Sequence, residues 1–465
     1  MTTAERYPAL GRIAQAMDRL QRELACEVLR PGDLAYEQAR QVRQALADRY
    51  PLAIVRARTA AQVAQAVRFA REHDLPLAVR SGGHSVSGKS MADGAVVVDL
   101  SGMDGLSIDP YDRVAVAGPG VTSGRLGWAA HEFGLALSTG DVSSVGLGGL
   151  TLGGRIGYMV RMYGLTIDHL LSAQVVTAEG EVLTASGEDH PDLFWALRGG
   201  GGNFGIVTRL EYRLQPAGTV LGGAIVLPAT LAVLRGYLEW ASSAPDELTT
   251  ISALTHVPPM PFVPESAHGN LAFVISFVAV GDPGQAEAMV APLRSLDEPI
   301  GELVGPMPYP AIYQFSEEAT NRSALATRSM FAYELPDAAL ETMIEHTARA
   351  DSFMHMLQIR VLGGAMARVP EEATAFSHRD KPFMVSVLNE WHDPAQTEGQ
   401  LAWTEAAWQA LRGYGSGVYV NFLEDEGDDR IREAYGTETY ARLAEVKRRY
   451  DPTNVFRLNQ NVPPA

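Results

Sequence analysis

Arg80-Ser81-Gly82-Gly83-His84-Ser85 follows an apolar run over residues 75–79 that predicts a β-strand. The two glycines allow a tight turn, and the backbone N–H groups of such a turn can bind a diphosphate. A histidine beside the turn can attack an electrophilic carbon of a bound cofactor, or donate a hydrogen bond to it. These six residues alone are equally compatible with a glycine-rich turn that leaves His84 exposed.

Two glycine patterns imitate nucleotide-binding motifs. Residues 83–90 match the P-loop pattern, but only residues 91–94 separate them from the strand predicted at 95–100. That gap leaves no room for the helix that a P-loop must open. Residues 200–205 match G-x-G-x-x-G, but they follow a predicted helix and precede a predicted strand, which reverses the dinucleotide-binding order. We therefore expect neither a nucleoside-triphosphatase nor a Rossmann site.

Composition restricts the class of protein. A chain of 465 residues predicts two or three domains. Its net charge of −17 argues against a nucleic acid or an anionic membrane as partner. No run of 18 apolar residues predicts a transmembrane helix, and the N-terminus has no secretory apolar region. We expect a cytoplasmic protein.

Cysteine and histidine usage excludes further chemistry. Cys26 is the only cysteine, so neither an intramolecular disulfide nor a cysteine-based metal cluster is possible. The histidines form no H-E-x-x-H spacing, and no G-x-S-x-G elbow of a serine hydrolase occurs. We therefore expect no metal site.

The hydrophobic pattern divides the chain into two kinds of structure. The first half alternates short strands with helices, such as the strand at 53–56 and the helix that Thr59 opens with Gln62. After residue 216 the glycine density falls, and strand-like runs flank helices predicted at 283–296 and 336–350. The second half therefore predicts an antiparallel sheet covered on one side by helices.

Residues 140–157 form a very glycine-rich segment with interleaved apolar residues and no proline. So many glycines cost conformational entropy, which close packing of the backbone against a flat or bulky group would explain. We favour this interpretation over a flexible loop because of the apolar residues.

Taken together, the motifs resemble the family of covalent-flavin oxidases that includes berberine bridge enzyme and 6-hydroxynicotine oxidase. The similar segments occur in the family's order from about residue 50 to the C-terminus: RSGGHS at 80–85, VGLGGLTLGG at 145–154, DLFWALRGGGGNFGIVT at 192–208, Tyr419-x-Asn421, and YDPTNVFRLN at 450–459. A joint match of this length is far more specific than any single motif.

The resemblance implies an α+β fold with a two-part FAD-binding domain of the vanillyl-alcohol oxidase type. Residues 1–215 and 419–465 would form this domain, and residues 216–418 would form an inserted substrate-binding domain built on the antiparallel sheet. It also implies FAD as the cofactor, attached through His84 to the C8 methyl group of the isoalloxazine ring. The residues assigned to cofactor binding are Arg80, Ser81, Gly82, Gly83, His84, Ser85, Gly118, Gly140, Val142, Ser143, Val145, Gly146, Gly148, Gly149, Gly153, Gly154, Gly157, Gly205, Ile206, Val207 and Asn421.

Several positions depart from the family pattern. Val142 occupies the position of a cysteine that makes a second flavin link in many relatives, so we expect no cysteinyl link. Leu150 replaces a histidine of berberine bridge enzyme-like members. Val145 matches a valine of members that react rapidly with dioxygen, which favours an oxidase, although valine is also a common core residue.

The candidate catalytic residues are Tyr419, Gln358 and Asn421. The motif often reads Tyr-x-Asn-Tyr, but here Phe422 stands last; if that final tyrosine is the base in relatives, the base is missing. Tyr419 is then a candidate base or a packing residue. Gln358 and Arg360 alternate on one strand face, where they could contact the flavin or solvent. His378 and Arg379 could lie near the site or cap a loop.

The resemblance implies an FAD-dependent oxidase that transfers hydride from a small alcohol, sugar, amine or natural-product intermediate to flavin N5, with dioxygen as acceptor and peroxide as product. A flavin–oxygen adduct as the oxidant is a further possibility. The alternatives are a dehydrogenase with another electron acceptor and a flavin-binding protein without turnover. The sequence leaves the substrate and the oligomeric state open.

Overall fold

The computed structural model describes residues 8–350 and 354–465. Its helices are α1 (Pro8–Leu24), α2 (Tyr36–Ala39), α3 (Ala60–Glu72), α4 (Ser123–His131), α5 (Leu147–Leu152), α6 (Val160–Tyr163), α7 (Pro191–Leu197), α8 (Leu231–Ser243), α9 (Pro283–Arg294), α10 (Asp337–Ala348), α11 (Ala365–Arg368), α12 (Thr397–Leu411) and α13 (Asp428–Tyr450).

Most of the strands belong to three sheets. They are β1 (Glu27–Leu29), β2 (Ala53–Arg56), β3 (Leu77–Arg80), β4 (Val96–Asp99), β5 (Leu106–Asp109), β6 (Val114–Ala117), β7 (Leu135–Ala136), β8 (Leu170–Val176), β9 (Val182–Ser186), β10 (Ile206–Arg213), β11 (Gln215–Pro216), β12 (Thr219–Pro228), β13 (Leu248–His256), β14 (Leu271–Ala279), β15 (Gly301–Pro308), β16 (Ala324–Ala332), β17 (His355–Val361) and β18 (Phe383–Trp391).

The first sheet has the order β1-β2-β4-β3, with β2 and β3 both parallel to β4. All four residues of β4 are buried, as expected for a strand covered on both faces. Helix α3 packs on this sheet and begins at Thr59, whose hydroxyl accepts a hydrogen bond from the N–H of Gln62. The predicted capping box is incomplete, because the Gln62 side chain accepts from the N–H of Arg58 instead.

The second sheet is antiparallel, with the order β5-β6-β10-β8-β9. Its core includes residues from helices α5, α7 and α13. Helix α13 is interrupted at Gly436, which adopts a φ of +69°. The C-terminal segment therefore packs with the N-terminal half of the chain.

The third sheet has seven antiparallel strands in the order β15-β12-β14-β13-β17-β18-β16. Helices α8, α9, α10 and α12 cover one face of it in a single core cluster. The predicted α+β fold, with an antiparallel sheet covered by helices, is thus confirmed. All seven strands lie between Thr219 and Trp391, inside the segment 216–418 that was predicted as an insertion; the boundaries themselves stay a prediction.

One buried ammonium group, that of Lys447, connects the last helix to the rest of the molecule. The ammonium of Lys447 is fully buried and donates to the carboxylate of Asp451 at 2.6 Å and to the carbonyls of Asn203 at 2.7 Å and Phe456 at 2.9 Å.

Within the described residues, no helix is long and apolar enough to cross a membrane.

Candidate functional site

The turn after β3 opens into a cavity of about 500 Å³ between the first two sheets and the third. Gly83 adopts a φ of +71°, which favours glycine, and so allows the turn predicted from the sequence. In the described part of the chain, nothing accepts a hydrogen bond from the backbone N–H groups of residues 82–85 or 142–145. Among these residues only Gly83 is buried and the others are half-buried, so both loops offer a set of free donors.

His84 lies on the cavity wall, where its Nε2 and the hydroxyl of Ser144 are 2.9 Å apart. Burial lowers the pKa of His84 to about 3, and three arginines add to this effect, namely Arg43, Arg155 and Arg80. The imidazole is therefore neutral at physiological pH and keeps a lone pair. Nε2 contacts Ser144, whereas Nδ1 has no hydrogen-bond partner among the described residues.

Two glycine-bearing loops meet at this wall, backbone against backbone. A Cβ added to Gly82 would lie 2.4 Å from the nitrogen of Gly146, and one added to Gly146 would lie 2.3 Å from the hydroxyl oxygen of Ser81. The contact brings the 80–85 turn and the glycine-rich segment together. Close backbone packing, rather than a flexible loop, thus explains these glycines.

The cavity gathers most of the predicted cofactor-binding residues. Those that line it are Ser81, Gly82, Gly83, His84, Ser85, Val142, Val145, Gly146, Gly148, Gly149, Gly205, Ile206, Val207 and Asn421.

Seven residues that were predicted to bind the cofactor do not themselves line the cavity, and their role in cofactor binding stays a prediction. They are Arg80, Gly118, Gly140, Ser143, Gly153, Gly154 and Gly157. Arg80 instead donates to the carbonyl of Ala39 at 2.5 Å. The glycines make room for neighbouring groups: a Cβ on Gly118 would lie 2.0 Å from the carbonyl oxygen of Met103. A Cβ on Gly153 would lie 2.1 Å from Oδ1 of Asn421.

The candidate catalytic residues divide into two that reach the cavity and one that does not. Gln358 and Asn421 line it. Tyr419 is 1% exposed in an apolar cluster, and its hydroxyl accepts a hydrogen bond from Nδ2 of Asn421 at 2.9 Å. This geometry does not favour Tyr419 as a base in contact with substrate. Its hydroxyl instead accepts a hydrogen bond from the Asn421 amide and so helps to hold that side chain in place.

Strand β17 presents alternate side chains to the cavity, while Leu357 and Ile359 face the helices. Arg360 is 2% exposed, and its Nε donates to Oε1 of Gln358 at 2.8 Å. Its side chain therefore faces the cavity, not solvent. His378 stacks on Phe331, and Arg379 pairs with Asp168 at 2.6 Å; neither lines the cavity.

Sequence reasoning missed a charged cluster formed by Asp141, Arg155 and Arg360. Asp141 accepts from Arg155 at 2.8 Å and from Arg360 at 2.5 Å. Burial alone would raise the pKa of Asp141, but the charges of Arg360 and Arg155 lower it below its ordinary value. Arg155 was detectable as an arginine that interrupts a glycine-rich run, whereas its partners are apparent only in the fold.

Tyr158 also lines the cavity and was not predicted. Burial raises the pKa of its phenol above the ordinary value of tyrosine, and the negative charge of Asp141 adds to this. Tyr158 therefore keeps its proton at neutral pH and can donate a hydrogen bond.

The residues present fit an FAD. Besides the free N–H groups of the two loops, the hydroxyl of Ser90 and Oδ1 of Asn459 are buried in the cavity wall without a partner among the described residues. A Cβ on Gly149 would meet nothing within 4 Å, so this glycine faces open space. Over the described residues, no group of three or more metal-ligating side chains occurs.

The two nucleotide-motif decoys lack the geometry they would need. Residues 88–94 form turns that lead directly to β4, and residues 200–205 connect helix α7 to strand β10. The order of elements is thus as expected from the sequence, and the P-loop and Rossmann interpretations fail.

Comparison with known proteins identifies the family of this chain. Residues 51–186 match the family described as FAD binding domain, and residues 418–463 match the family described as berberine and berberine like. (R)-6-hydroxynicotine oxidase of Paenarthrobacter nicotinovorans is 31% identical over 458 residues, which cover 94% of this chain and 96% of that enzyme.

Solved structures share the fold over nearly the whole chain. The structure of 6-hydroxy-D-nicotine oxidase from Arthrobacter nicotinovorans has a TM-score of 0.86 at 29% identity, covering 95% of this chain and 98% of that one. A BBE-like 1 structure from Physcomitrella patens has a TM-score of 0.87 at 23% identity, covering 96% and 99%. The cavity, both matched families and these relatives together place the chain in the berberine bridge enzyme-like family of FAD-linked oxidoreductases.

Proposed function

We propose that this protein is an oxidase of small organic molecules whose FAD is bound covalently to His84 and whose electron acceptor is dioxygen. The observation that carries the proposal is the neutral imidazole of His84, held by Ser144 on the wall of a cavity lined by unpaired backbone N–H groups. FAD, when bound, supplies hydride acceptance at N5 and reaction with dioxygen to give peroxide.

The chain would hold the cofactor in two ways. His84 would attach the C8 methyl group through Nδ1, because Nε2 is engaged with Ser144. The backbone donors of residues 82–85 and 142–145 would bind the anionic diphosphate without an ion pair. Because residue 142 is valine, the thiol that a second, cysteinyl link would need is absent at this position.

On the substrate side, the ionisable groups that line the cavity are poor bases. Asp141 is paired with two arginines, Glu390 is paired with Arg43 at 2.5 Å, and Tyr158 keeps its proton. These residues therefore orient the substrate and donate hydrogen bonds, and the amides of Gln358 and Asn421 add neutral contacts. Substrates whose oxidation needs no strong protein base, such as amines, suit this arrangement.

Acid precipitation of the purified protein tests the covalent link. We expect a yellow pellet from the wild type and from the control His392→Ala, which changes an exposed histidine in a turn. The pellet of His84→Ala should be colourless, with its flavin in the supernatant. Flavin in the wild-type supernatant would refute the covalent link while leaving an FAD enzyme.

Stopped-flow reoxidation separates the oxidase from the alternatives. After reduction by a substrate from a panel of alcohols, sugars and amines, the flavin should reoxidise rapidly in air with stoichiometric peroxide. Val145 lines the cavity, as the resemblance to oxygen-reactive relatives would require. Slow reoxidation would indicate a dehydrogenase, and no reduction by any member would indicate a flavin-binding protein without turnover.

A further inference from the structure

Strand β17 changes character along the face that it turns to the cavity. Met354, just before the strand, and Met356 line the cavity first, followed by Gln358 and Arg360. Leu388 of the neighbouring strand β18 lies opposite Met356, and Ile251 of β13 lies opposite Arg360; both line the cavity. A ligand along β17 would therefore meet Met354, Met356 and Leu388 at one end and a cationic group at the other.

The cationic end carries a net positive charge. Asp141 is shared by Arg155 and Arg360, so its one carboxylate offsets only one of two guanidinium groups. Elsewhere on the cavity wall, Arg43 pairs with Glu390. The shared carboxylate thus leaves one positive charge on two arginines that are almost fully buried, since Arg155 is 6% and Arg360 2% exposed.

The same end is rich in donors. Arg360 uses Nε for Gln358 and Nη2 for Asp141, and in the described part of the chain its Nη1 has no hydrogen-bond partner. Gln358 accepts with Oε1, and its Nε2 likewise donates to none of the described residues. An acceptor with negative charge would satisfy both groups, and a carboxylate has the planar geometry that matches guanidinium.

Backbone strain accompanies this arrangement. Arg155 has a φ of +61°, in the left-handed region that favours glycine, and its Nε donates to the carbonyl of Thr139 at 3.2 Å. A non-glycine residue there costs about 1 kcal/mol or more, and such costs concentrate at functional sites. An arginine held there against this cost points to a function for its guanidinium at the cavity.

We propose that Arg155 and Arg360, whose two positive charges Asp141 only half offsets, bind the carboxylate of an organic acid substrate whose body lies along Met356 and Met354. The proposal rests on the proposed function, because it names the substrate class of the same cavity. It favours aromatic or aliphatic acids over neutral sugars, since a neutral substrate would leave the positive charge without a counter-ion.

Titration of the purified yellow protein with benzoate and with its neutral isostere benzamide tests the proposal. Binding is followed by the visible flavin spectrum and, independently of the flavin, by calorimetry. We expect benzoate to bind about tenfold or more tighter than benzamide, because charge-assisted hydrogen bonds are stronger than neutral ones. Equal affinities would overturn the proposal.

Two substitutions in the cluster should shift benzoate affinity in opposite directions. Arg360→Met should weaken benzoate by about tenfold or more and leave benzamide nearly unchanged. Asp141→Asn removes the offsetting charge and should tighten benzoate by about tenfold. Lys89→Met is the matched control: it removes a cavity-lining cation that bonds Asp425 and Asn459 outside the cluster, so the ratio of the two affinities should not change.

If Arg360→Met does not fold, Asp141→Asn still tests the proposal. A cluster with a purely structural role would make benzoate bind more weakly in either variant, whereas the proposal predicts tighter binding in Asp141→Asn. If Arg360→Met shifts the flavin reduction potential but not the benzoate-to-benzamide ratio, the cluster serves the flavin and the proposal is wrong. Rapid, peroxide-forming oxidation of neutral substrates together with equal affinities would overturn the carboxylate site alone. A colourless protein that still prefers benzoate in calorimetry would instead refute the proposed function and keep the carboxylate site.

Discussion

His84 is the residue whose environment has the most direct chemical consequence. Because its pKa is lowered to about 3, the imidazole stays neutral, and hence nucleophilic, at every pH above that value. An ordinary histidine, with a pKa of about 6.5, would be almost fully protonated at pH 5. We therefore expect the rate of covalent incorporation, measured by adding FAD to apoprotein and counting acid-stable flavin, to change less than about twofold between pH 5 and pH 8.

The rates must be compared at saturating FAD, which a parallel binding titration at each pH establishes. A rate that falls through an apparent pKa near the ordinary histidine value would contradict the buried, arginine-flanked position of this imidazole.

At the scale of elements, two glycines at helix α5 are required for different reasons. A Cβ on Gly146 would collide with the turn after β3, whereas a Cβ on Gly149 would point into the open cavity. Gly146→Ala should therefore destabilise the protein by about 1–3 kcal/mol and lower flavin content. Gly149→Ala should fold at least as stably, since alanine favours helix, but should retain less flavin because its methyl group enters the cofactor space.

Thermal unfolding and the ratio of flavin to protein absorbance measure both effects. Gly105→Ala is the control, since Gly105 is exposed and an added Cβ meets nothing within 4 Å. A Gly149→Ala variant with full flavin content would show that the cofactor does not lie against helix α5.

At the scale of the whole molecule, Lys447 joins helix α13, the 200–205 loop and the C-terminal tail. Lys447→Met would leave the buried carboxylate of Asp451 without its cation, and we expect a loss of about 3 kcal/mol or more in the free energy of unfolding. Arg449→Met, which breaks an exposed pair with Asp192, should cost about 1 kcal/mol or less. Urea unfolding followed by fluorescence and circular dichroism measures both, and equal losses would refute the role given to Lys447.

The sequence predicts those parts of the site that depend on local pattern. The strand-turn order around His84 and the shared face of Gln358 and Arg360 follow from spacing and residue type. The sequence also predicts close backbone packing of the glycine-rich segment, but not that Gly146 meets the loop of Gly82. Tyr419 shows where spacing misleads. Residues two apart share a face in a strand, but a 3-10 turn at Val420–Phe422 sends Asn421 to the cavity and Tyr419 into the core.

The charged cluster could not be predicted, because it is assembled by the tertiary fold. Asp141 and Arg155 lie 14 positions apart, and Asp141 and Arg360 lie 219 apart. No local pattern joins a glycine-rich loop to the fifth strand of a distant sheet. Arg155 also adopts a left-handed φ that arginine rarely adopts in proteins. Its intrinsic backbone preference therefore predicts a different conformation from the one that the fold imposes.

The walls of the cavity come from both ends of the chain, from Arg43 to Gln460. Phe456, Leu458, Asn459 and Gln460 supply one wall of it, yet they belong to none of the three sheets. Local unfolding of this short segment would therefore open the cavity while every sheet stays intact, so retention of a ligand depends on a part of the molecule that contributes little to its core.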